Sequence, residues 1–246
     1  MPRFFLSADH ICGDTVTITG EDALHISRSL RMRSGEKITV CDMQKNEYEC
    51  ELVSFTADTV SARILEARKN ETEPVYRAIL YQALPKGDKM EYIVQKAVEL
   101  GVSEIIPFSC ERCISRLDDK SAKRKTERWQ KIADGAAKQC GRGALVPVRE
   151  PMTFSEAMKQ ASGADIPLFC YEGDGTTPLS AFLSDKDRLA GASISIVIGP
   201  EGGFSVSEVE RVASLGCPPV GLGKRILRCE TASGFVLSCI CFAAEL

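Results

Sequence analysis

The stretch Ile198-Gly199-Pro200-Glu201-Gly202-Gly203-Phe204-Ser205 connects an apolar run to a predicted helix through three glycines. The run that it ends, residues 193–198, is typical of a buried strand, and Ser205 with Glu208 forms a capping-box pattern at the start of the helix. Ligands of open α/β sheets bind beyond the carboxyl ends of the strands, and glycines let the main chain approach them closely. The stretch therefore predicts either a cofactor loop or a tight structural turn.

The same alternation of strand and helix extends over the chain after Pro74. Near-continuous apolar runs are typical of parallel strands that are covered by helices, so the predicted fold class is α/β. The predicted strands are residues 78–81, 104–108, 167–171 and 193–198. The first predicted helix carries Met90, Ile93, Val94, Ala97 and Val98 on one face, and the second spans residues 122–140. The next two follow Thr153 and Ser205, and the last spans residues 231–245.

Residues 4–67 have a different pattern, with short β-rich segments and one helical segment at residues 22–30. Strands that are this short and numerous suggest a small β-barrel. A polar stretch follows at residues 68–74, so we place a domain boundary there, which gives domains 1–72 and 73–246. The candidate strands are residues 15–19, 37–41, 49–55 and 59–65.

The composition is that of a globular protein, with 246 residues, 44% of them hydrophobic, and a formal net charge of −3. Residues 111–149 nevertheless contain eleven Lys and Arg against five Asp and Glu. This excess permits an anionic partner at one surface, although an ordinary solvated helix face has the same composition. Neither a signal peptide nor an apolar run of bilayer length is visible, so we expect a soluble cytoplasmic protein.

The eleven cysteines are odd in number, which favours reduced and mostly buried thiols. A single CxxC motif occurs, Cys110-Glu111-Arg112-Cys113. A structural zinc site would need a second cysteine pair or suitably spaced histidines, and His10 and His25 are the only histidines. We therefore expect no metal.

A second informative stretch, residues 220–232, reads VGLGKRILRCETA and leads into the closing helix. Together with residues 198–205 it resembles the RsmE-type 16S ribosomal RNA uracil-N3 methyltransferases of the SPOUT superfamily, whose hallmark pieces are similar to IGPEGGF and LGxRILRxETA. Further similar pieces lie at residues 25–31, 86–101 and 110–112. The chain departs from the family at Lys138, where a Glu is frequent, and at Cys113, where a Ser is expected.

The resemblance implies a fold and a set of ligands. The fold would be an N-terminal PUA-like β-barrel that helps to hold RNA, followed by a C-terminal α/β domain with a deep trefoil knot. The cofactor would be S-adenosylmethionine and the substrate 16S rRNA of the small ribosomal subunit. The implied cofactor contacts are Phe169, Tyr171, Glu172, Gly199, Pro200, Glu201, Gly202, Gly203, Leu222, Gly223, Ile226, Leu227 and Arg228.

The closing helix is apolar nearly all round, so it must be covered on several sides. Its pattern fits burial in the core of one chain as well as burial in a dimer interface. The family resemblance favours the second, a homodimer.

Methylation of uracil N3 requires the loss of its proton, so a carboxylate or a cation that stabilises the resulting anion should lie close by. Our hypothesis is that Arg228 stabilises the anion while Glu201 or Glu230 accepts the proton. Glu230 fits better as a residue that stabilises the start of the closing helix, where an acid is favourable. The candidate RNA contacts are Arg3, Arg28, Arg31, Arg33, Lys86, Lys89, Arg112 and Arg142, because phosphates favour clustered cations.

Three other functions fit parts of the sequence. A related knotted methyltransferase could act on transfer RNA or another base, and the N-terminal similarity disfavours it. A non-catalytic RNA-binding or assembly factor would not need the glycine loops and Arg228. A nicotinamide-dependent oxidoreductase would be expected to carry the GxGxxG fingerprint, which residues 198–205 lack.

Overall fold

The computed structural model describes all 246 residues, which divide into two compact units. Unit 1 comprises Met1–Glu73 and Ala137–Leu145, and unit 2 comprises Pro74–Ala136 and Val146–Leu246. Unit 1 is therefore assembled from two separate segments, which a single boundary after residue 72 does not describe. None of the helices combines the length and the apolar character that crossing a bilayer requires.

Unit 1 is built on a six-stranded sheet in the order β1-β4-β5-β6-β3-β2, in which only β1 and β4 pair in parallel. The strands are β1 (Arg3–Phe5), β2 (Ile11–Cys12), β3 (Thr15–Thr19), β4 (Lys37–Cys41), β5 (Asn46–Phe55) and β6 (Thr59–Lys69). Phe4 in β1 and Ile18 in β3 lie near opposite edges of the sheet, yet both are buried in one hydrophobic core. The sheet is therefore curled around that core.

The four strands predicted in this region are confirmed as β3 to β6, with β5 and β6 longer than predicted. The predicted helical segment at residues 22–30 is a short helix, α1 (Gly20–Leu24), that continues as a π-helical turn, His25–Ser29. The strands β1 and β2 were not predicted, because segments of three and two residues are too short to show an alternating pattern.

A buried carboxylate, Glu47, organises one side of unit 1. Arg3 donates to one of its oxygens and Arg68 to the other, each at 2.6 Å, and the Asn70 side chain also donates at 2.9 Å. Burial opposes ionisation of Glu47, but the hydrogen bonds from Arg68, Arg3 and Asn70 outweigh it and lower its pKa to about 2. The guanidinium of Arg3 is thus neutralised inside the unit.

The returning segment of unit 1, residues 137–145, is held by a second buried ion pair. Arg142, which is 4% exposed, donates from Nε and Nη2 to the two oxygens of Glu73 at 2.8 and 2.9 Å. Lys138 adds an ion pair of 3.2 Å with Asp22. These contacts join residues about seventy or more positions apart in sequence.

Unit 2 is a seven-stranded, wholly parallel sheet in the order β11-β13-β10-β12-β7-β8-β9. Its strands are β7 (Arg77–Ala83), β8 (Glu104–Ser109), β9 (Met152–Thr153), β10 (Ile166–Cys170), β11 (Thr177–Pro178), β12 (Ser193–Ile198) and β13 (Pro219–Gly221). Its helices are α2 (Lys89–Glu99), α3 (Asp119–Cys140, whose last turn belongs to unit 1), α4 (Phe154–Ala161), α5 (Leu179–Phe182), α6 (Lys186–Leu189), α7 (Val206–Ser214) and α8 (Cys229–Glu245). The predicted α/β class is confirmed.

Both capping boxes read from the sequence are present, Thr153 with Glu156 at α4 and Ser205 with Glu208 at α7. The closing helix α8 packs against α2 and β12. Its residues Val236, Leu237 and Ile240 are fully buried, whereas Phe235 and Phe242 on other faces are 40% and 71% exposed. One chain alone therefore leaves part of this apolar helix uncovered.

Candidate active site

The carboxyl ends of three neighbouring strands, β13, β10 and β12, open onto a cavity of about 530 Å³ in unit 2. This edge of a parallel sheet is where ligands of α/β proteins bind, and the volume suits a cofactor-sized molecule. The cavity brings together most of the predicted cofactor contacts: Tyr171, Glu172, Gly199, Pro200, Glu201, Gly202, Gly203, Leu222, Gly223, Ile226 and Leu227.

Two predicted contacts do not line the cavity. Phe169 is 1% exposed, and its ring centroid lies 4.6 Å from that of Phe204, which does line the cavity, so Phe169 supports the wall from behind. Arg228 is the residue that precedes α8, where its carbonyl accepts hydrogen bonds from the first turn of the helix. Its side chain is exposed and forms no hydrogen bond or ion pair, while Leu227 and Cys229 on either side line the cavity.

Close packing favours glycine at two positions of the quoted loop, and backbone conformation favours it at the third. A Cβ added to Gly199 would lie 3.1 Å from the ring of Phe204, and one added to Gly202 would lie 3.2 Å from Cβ of Arg112. Gly203 has a φ of +65°, a conformation that favours glycine. Main chain, rather than side chains, therefore forms this part of the cavity wall.

The CxxC turn, residues 110–113, holds the glycine loop and the helix that follows it. Arg112 donates from Nη1 to the carbonyl oxygen of Gly202 at 2.9 Å. The main-chain N–H of Glu111 donates to Glu208 at 2.8 Å, and the second oxygen of that carboxylate accepts the N–H of Ser205 in the capping box. One turn therefore fixes both the loop and the start of α7.

Lys89, in the first turn of α2, connects two acids of the site. Its ammonium group lies 2.8 Å from Glu201 and 3.3 Å from Glu230. Burial opposes ionisation of Glu201, but hydrogen bonds from Lys89 and from the main chain outweigh it and lower its pKa. For Glu230, hydrogen bonds from its own main-chain N–H, from the Cys229 thiol and from Lys89 likewise outweigh burial and lower the pKa. Both carboxylates are ionised, and only Glu201 lines the cavity.

The cavity has the chemistry of a nucleoside-and-amino-acid site. Main-chain groups of the glycine loops offer hydrogen bonds, Leu222, Ile226 and Leu227 offer apolar contact, and Glu172 offers a carboxylate for a hydroxyl or an ammonium group. These residues fit the S-adenosylmethionine that the family resemblance implies. No group of three or more His, Cys, Asp and Glu side chains is placed to hold a metal ion.

The cations predicted to contact RNA fall into two groups. Arg28, Arg31, Arg33 and Lys86 are exposed, and no ion pair engages their side chains. The other four hold the fold, since Arg3 binds Glu47, Arg142 binds Glu73, Lys89 binds Glu201 and Glu230, and Arg112 binds the Gly202 carbonyl. The guanidinium groups of Arg3 and Arg142 are the least exposed of the eight and are engaged by carboxylates, and their RNA-contacting role stays a prediction.

The cavity also contains residues that were not predicted as cofactor contacts. Phe204 and Arg225 lie inside the two quoted stretches, so their position next to the predicted contacts was the available signal. No sequence pattern indicated Thr176. Only the fold brings it to Gly221, where its hydroxyl lies 2.6 Å from the position that an added Cβ would take. The further lining residues are Arg112, Cys170, Gly173, Ile198, Gly221, Cys229 and Ala232.

Comparison with known proteins agrees with the geometry. Residues 71–241 match the model of an RNA methyltransferase domain, and residues 18–65 match that of an RNA methyltransferase PUA domain. Ribosomal RNA small subunit methyltransferase E of Bacillus subtilis is 40% identical over 94% of this chain and 91% of its own length.

Two solved structures are also similar over nearly their whole length. Ribosomal RNA small subunit methyltransferase E of Neisseria gonorrhoeae, bound to S-adenosyl methionine, has a TM-score of 0.82 and 31% identity, and covers 99% of this chain and 98% of its own. A putative methyltransferase of Legionella pneumophila with bound SAM has a TM-score of 0.84 and 28% identity, over 98% and 97% of the two chains.

Proposed function

We propose N3 of one uridine in 16S rRNA as the methyl acceptor, because this chain belongs to the ribosomal RNA small subunit methyltransferase E family and is an S-adenosylmethionine-dependent rRNA methyltransferase. The observation that carries the proposal is that one cavity gathers both family-like stretches at one edge of the parallel sheet. S-adenosylmethionine supplies an already electrophilic methyl group, so the protein mainly has to position the acceptor and exclude water.

The loop of residues 199–203 and the loop of residues 222–227 would hold the cofactor, with Tyr171 and Glu172 as the third wall. Phe169 would act through Phe204, against which it packs. Glycine main chain lines the wall, which allows a close approach to a ligand without intervening side chains.

Arg228 and Glu201 would carry the chemistry. The unpaired guanidinium of Arg228 stands next to two cavity residues and would stabilise the negative charge that builds on the uracil oxygens. Glu201 is ionised and lines the cavity, so it would accept the N3 proton directly or through water. Glu230 would remain at the start of α8, as the shared contact with Lys89 and its place in the first turn support.

RNA would be held by the exposed cations Arg28, Arg31 and Arg33 of the PUA-like domain, residues 1–72, and by Lys86 of the methyltransferase domain, residues 73–246. Lys89 and Arg112 would contribute indirectly, by positioning the loops that they bind. Clustered cations suit phosphates, so each exposed arginine would add sequence-independent affinity.

The assembly would be a homodimer that acts in the cytoplasm. The exposed aromatic residues of α8, Phe235 and Phe242, support a second copy as the cover for this helix. The family resemblance also implies a trefoil knot at the cofactor site. The proximity of the 199–203 and 222–227 loops is compatible with it.

The deciding experiment is incubation with labelled S-adenosylmethionine and small ribosomal subunits that lack this modification, followed by digestion and mass identification of the methylated nucleoside. Label in 3-methyluridine at one rRNA position is the expected result. Subunits that already carry the modification are the control and should take up no label. Label in another nucleoside would overturn the acceptor, and label in transfer RNA alone would overturn the substrate.

A further inference from the structure

The two cysteines of the CxxC turn lie within reach of each other. Their sulfur atoms are 3.5 Å apart, and the main-chain N–H of Cys110 also points at Sγ of Cys113 at 3.3 Å. The turn is closed by a hydrogen bond of 3.1 Å from the N–H of Cys113 to the carbonyl of Cys110. A disulfide needs sulfurs about 2 Å apart, so a small contraction of this turn would suffice.

The thiol chemistry of the pair is asymmetric. The two thiols share a hydrogen bond, which lowers the pKa of the Cys113 thiol and raises the pKa of the Cys110 thiol. Burial instead raises the pKa of Cys170 and Cys229, two other cysteines near the cavity, to about 12. A lowered pKa favours oxidation of a cysteine, and Cys110, the less buried of the two, gives the pair access to solvent.

The pair brackets the residues that hold the cofactor loop. Arg112, between the two cysteines, binds the Gly202 carbonyl, and a Cβ on Gly202 would lie 3.2 Å from Cβ of Arg112 and 3.6 Å from its carbonyl oxygen. Glu111 binds the acid that caps α7. Because turn and loop are in direct contact, a contraction of the turn that shifts Arg112 would also shift the loop.

We propose that Cys110 and Cys113 form a reversible thiol–disulfide site whose oxidation weakens S-adenosylmethionine binding by displacing Arg112 from the Gly202 loop. The inference rests on the proposed function, since it takes the cavity to be the cofactor site. It assigns to the CxxC motif a role that neither methyl transfer nor metal binding requires.

A peroxide is the oxidant that this site can use. The Cys113 thiolate attacks one peroxide oxygen, the O–O bond breaks, and a sulfenic acid forms while hydroxide leaves and takes up a proton. Cys110 loses its proton and attacks that sulfur, the S–O bond breaks, and water leaves as the S–S bond forms. Two thiols are oxidised by two electrons, and one peroxide is reduced to two waters.

The test compares reduced protein with protein treated with hydrogen peroxide. Peptide mass mapping should find residues 110–113 linked with the loss of two hydrogen atoms, and dithiothreitol should reverse the change. Calorimetric titration should show S-adenosylmethionine binding about tenfold weaker in the oxidised protein, as expected for one lost charge-assisted hydrogen bond. The Cys113→Ser variant should keep its affinity for S-adenosylmethionine after peroxide treatment. If Cys113→Ser does not fold, Cys110→Ser is used in its place.

Cys12→Ser is the matched control, because Cys12 is an exposed thiol in unit 1, and this variant should respond like the wild type. If the reduced protein binds the cofactor but peroxide produces no 110–113 disulfide, this inference alone is overturned. A disulfide that leaves the affinity unchanged, or an equal loss in Cys113→Ser, would do the same. Reduced protein that binds no S-adenosylmethionine would overturn the proposed function and the coupling together.

Discussion

Arg228 is an exposed cation that the structure leaves without a partner beside the cavity. Arg228→Ala should lower the methylation rate by at least about 100-fold, the effect of removing one group that stabilises a developing anion. Cofactor affinity should stay close to that of the wild type, because the side chain does not line the cavity. Single-turnover methylation and calorimetric titration of S-adenosylmethionine measure the two quantities separately.

Lys224→Ala is the matched control, since Lys224 is an exposed cation of the same loop that does not line the cavity. It should retain methylation. Turnover that survives in Arg228→Ala would remove Arg228 from the mechanism.

Lys89 lowers the pKa of Glu201, and this predicts a pH effect. Glu201 must be ionised to accept a proton, so the wild type should stay active at pH values below the ordinary carboxyl pKa. Lys89→Met removes the stabilising ammonium while burial remains, so the pKa of Glu201 rises and activity is lost at a higher pH. The measurement is the acidic limb of kcat/KM against pH.

Lys86→Met tests whether this shift is specific. Lys86 contacts Glu201 through its main-chain N–H, which the substitution retains, so the acidic limb should not move whatever happens to RNA affinity. An unchanged limb in Lys89→Met would show that Glu201 is not the group that titrates.

At the scale of single elements, the start of α7 has two functions. Its capping box stabilises the helix, and Glu208 also receives the N–H of Glu111. Ser205→Ala should lower the free energy of unfolding by about 1 kcal/mol, as is usual for a lost N-cap. Glu208→Ala should lower it further and also weaken S-adenosylmethionine binding, because the CxxC turn loses its anchor.

Thr153→Ala removes the equivalent cap of α4 and separates the two effects. Its loss of stability should resemble that of Ser205→Ala in a denaturant titration, with cofactor affinity unchanged. A weaker affinity of equal size in Thr153→Ala and Glu208→Ala would mean that general destabilisation, not the Glu208 contact, sets the affinity.

The elements that could be read from sequence are those whose signal is local. Residues 193–198 form β12 as predicted, because the apolar run is continuous and the glycine that follows it defines where the strand ends. The roles of Lys89 and Arg112 could not be read in this way, since the acceptor of Arg112 is 90 residues away and only the fold brings them together. The sequence alone does not distinguish a basic residue that binds phosphate from one that binds a carbonyl group.

At the scale of the whole molecule, the uncovered face of α8 predicts self-association. Phe242 is 71% exposed on a helix whose other side is fully buried. Phe242→Asp should convert a dimer into a monomer, as measured by light scattering coupled to gel filtration. Val53→Asp places the same charge at a half-exposed apolar residue of unit 1 and should leave the dimer intact. A monomeric wild type would contradict the proposal.

The return of residues 137–145 to unit 1 has a consequence for how the chain is made. Domains usually fold in order as they leave the ribosome. Unit 1 cannot finish folding in that order, because Glu73 pairs with Arg142, and Arg142 is synthesised after residues 74–136 of the other unit. Unit 1 must therefore remain unfinished until nearly sixty per cent of the chain has emerged, as the position of Leu145 among 246 residues implies. A nascent chain stalled before residue 142 would leave the Glu73 carboxylate without its partner and unit 1 open to the cell's proteases and chaperones.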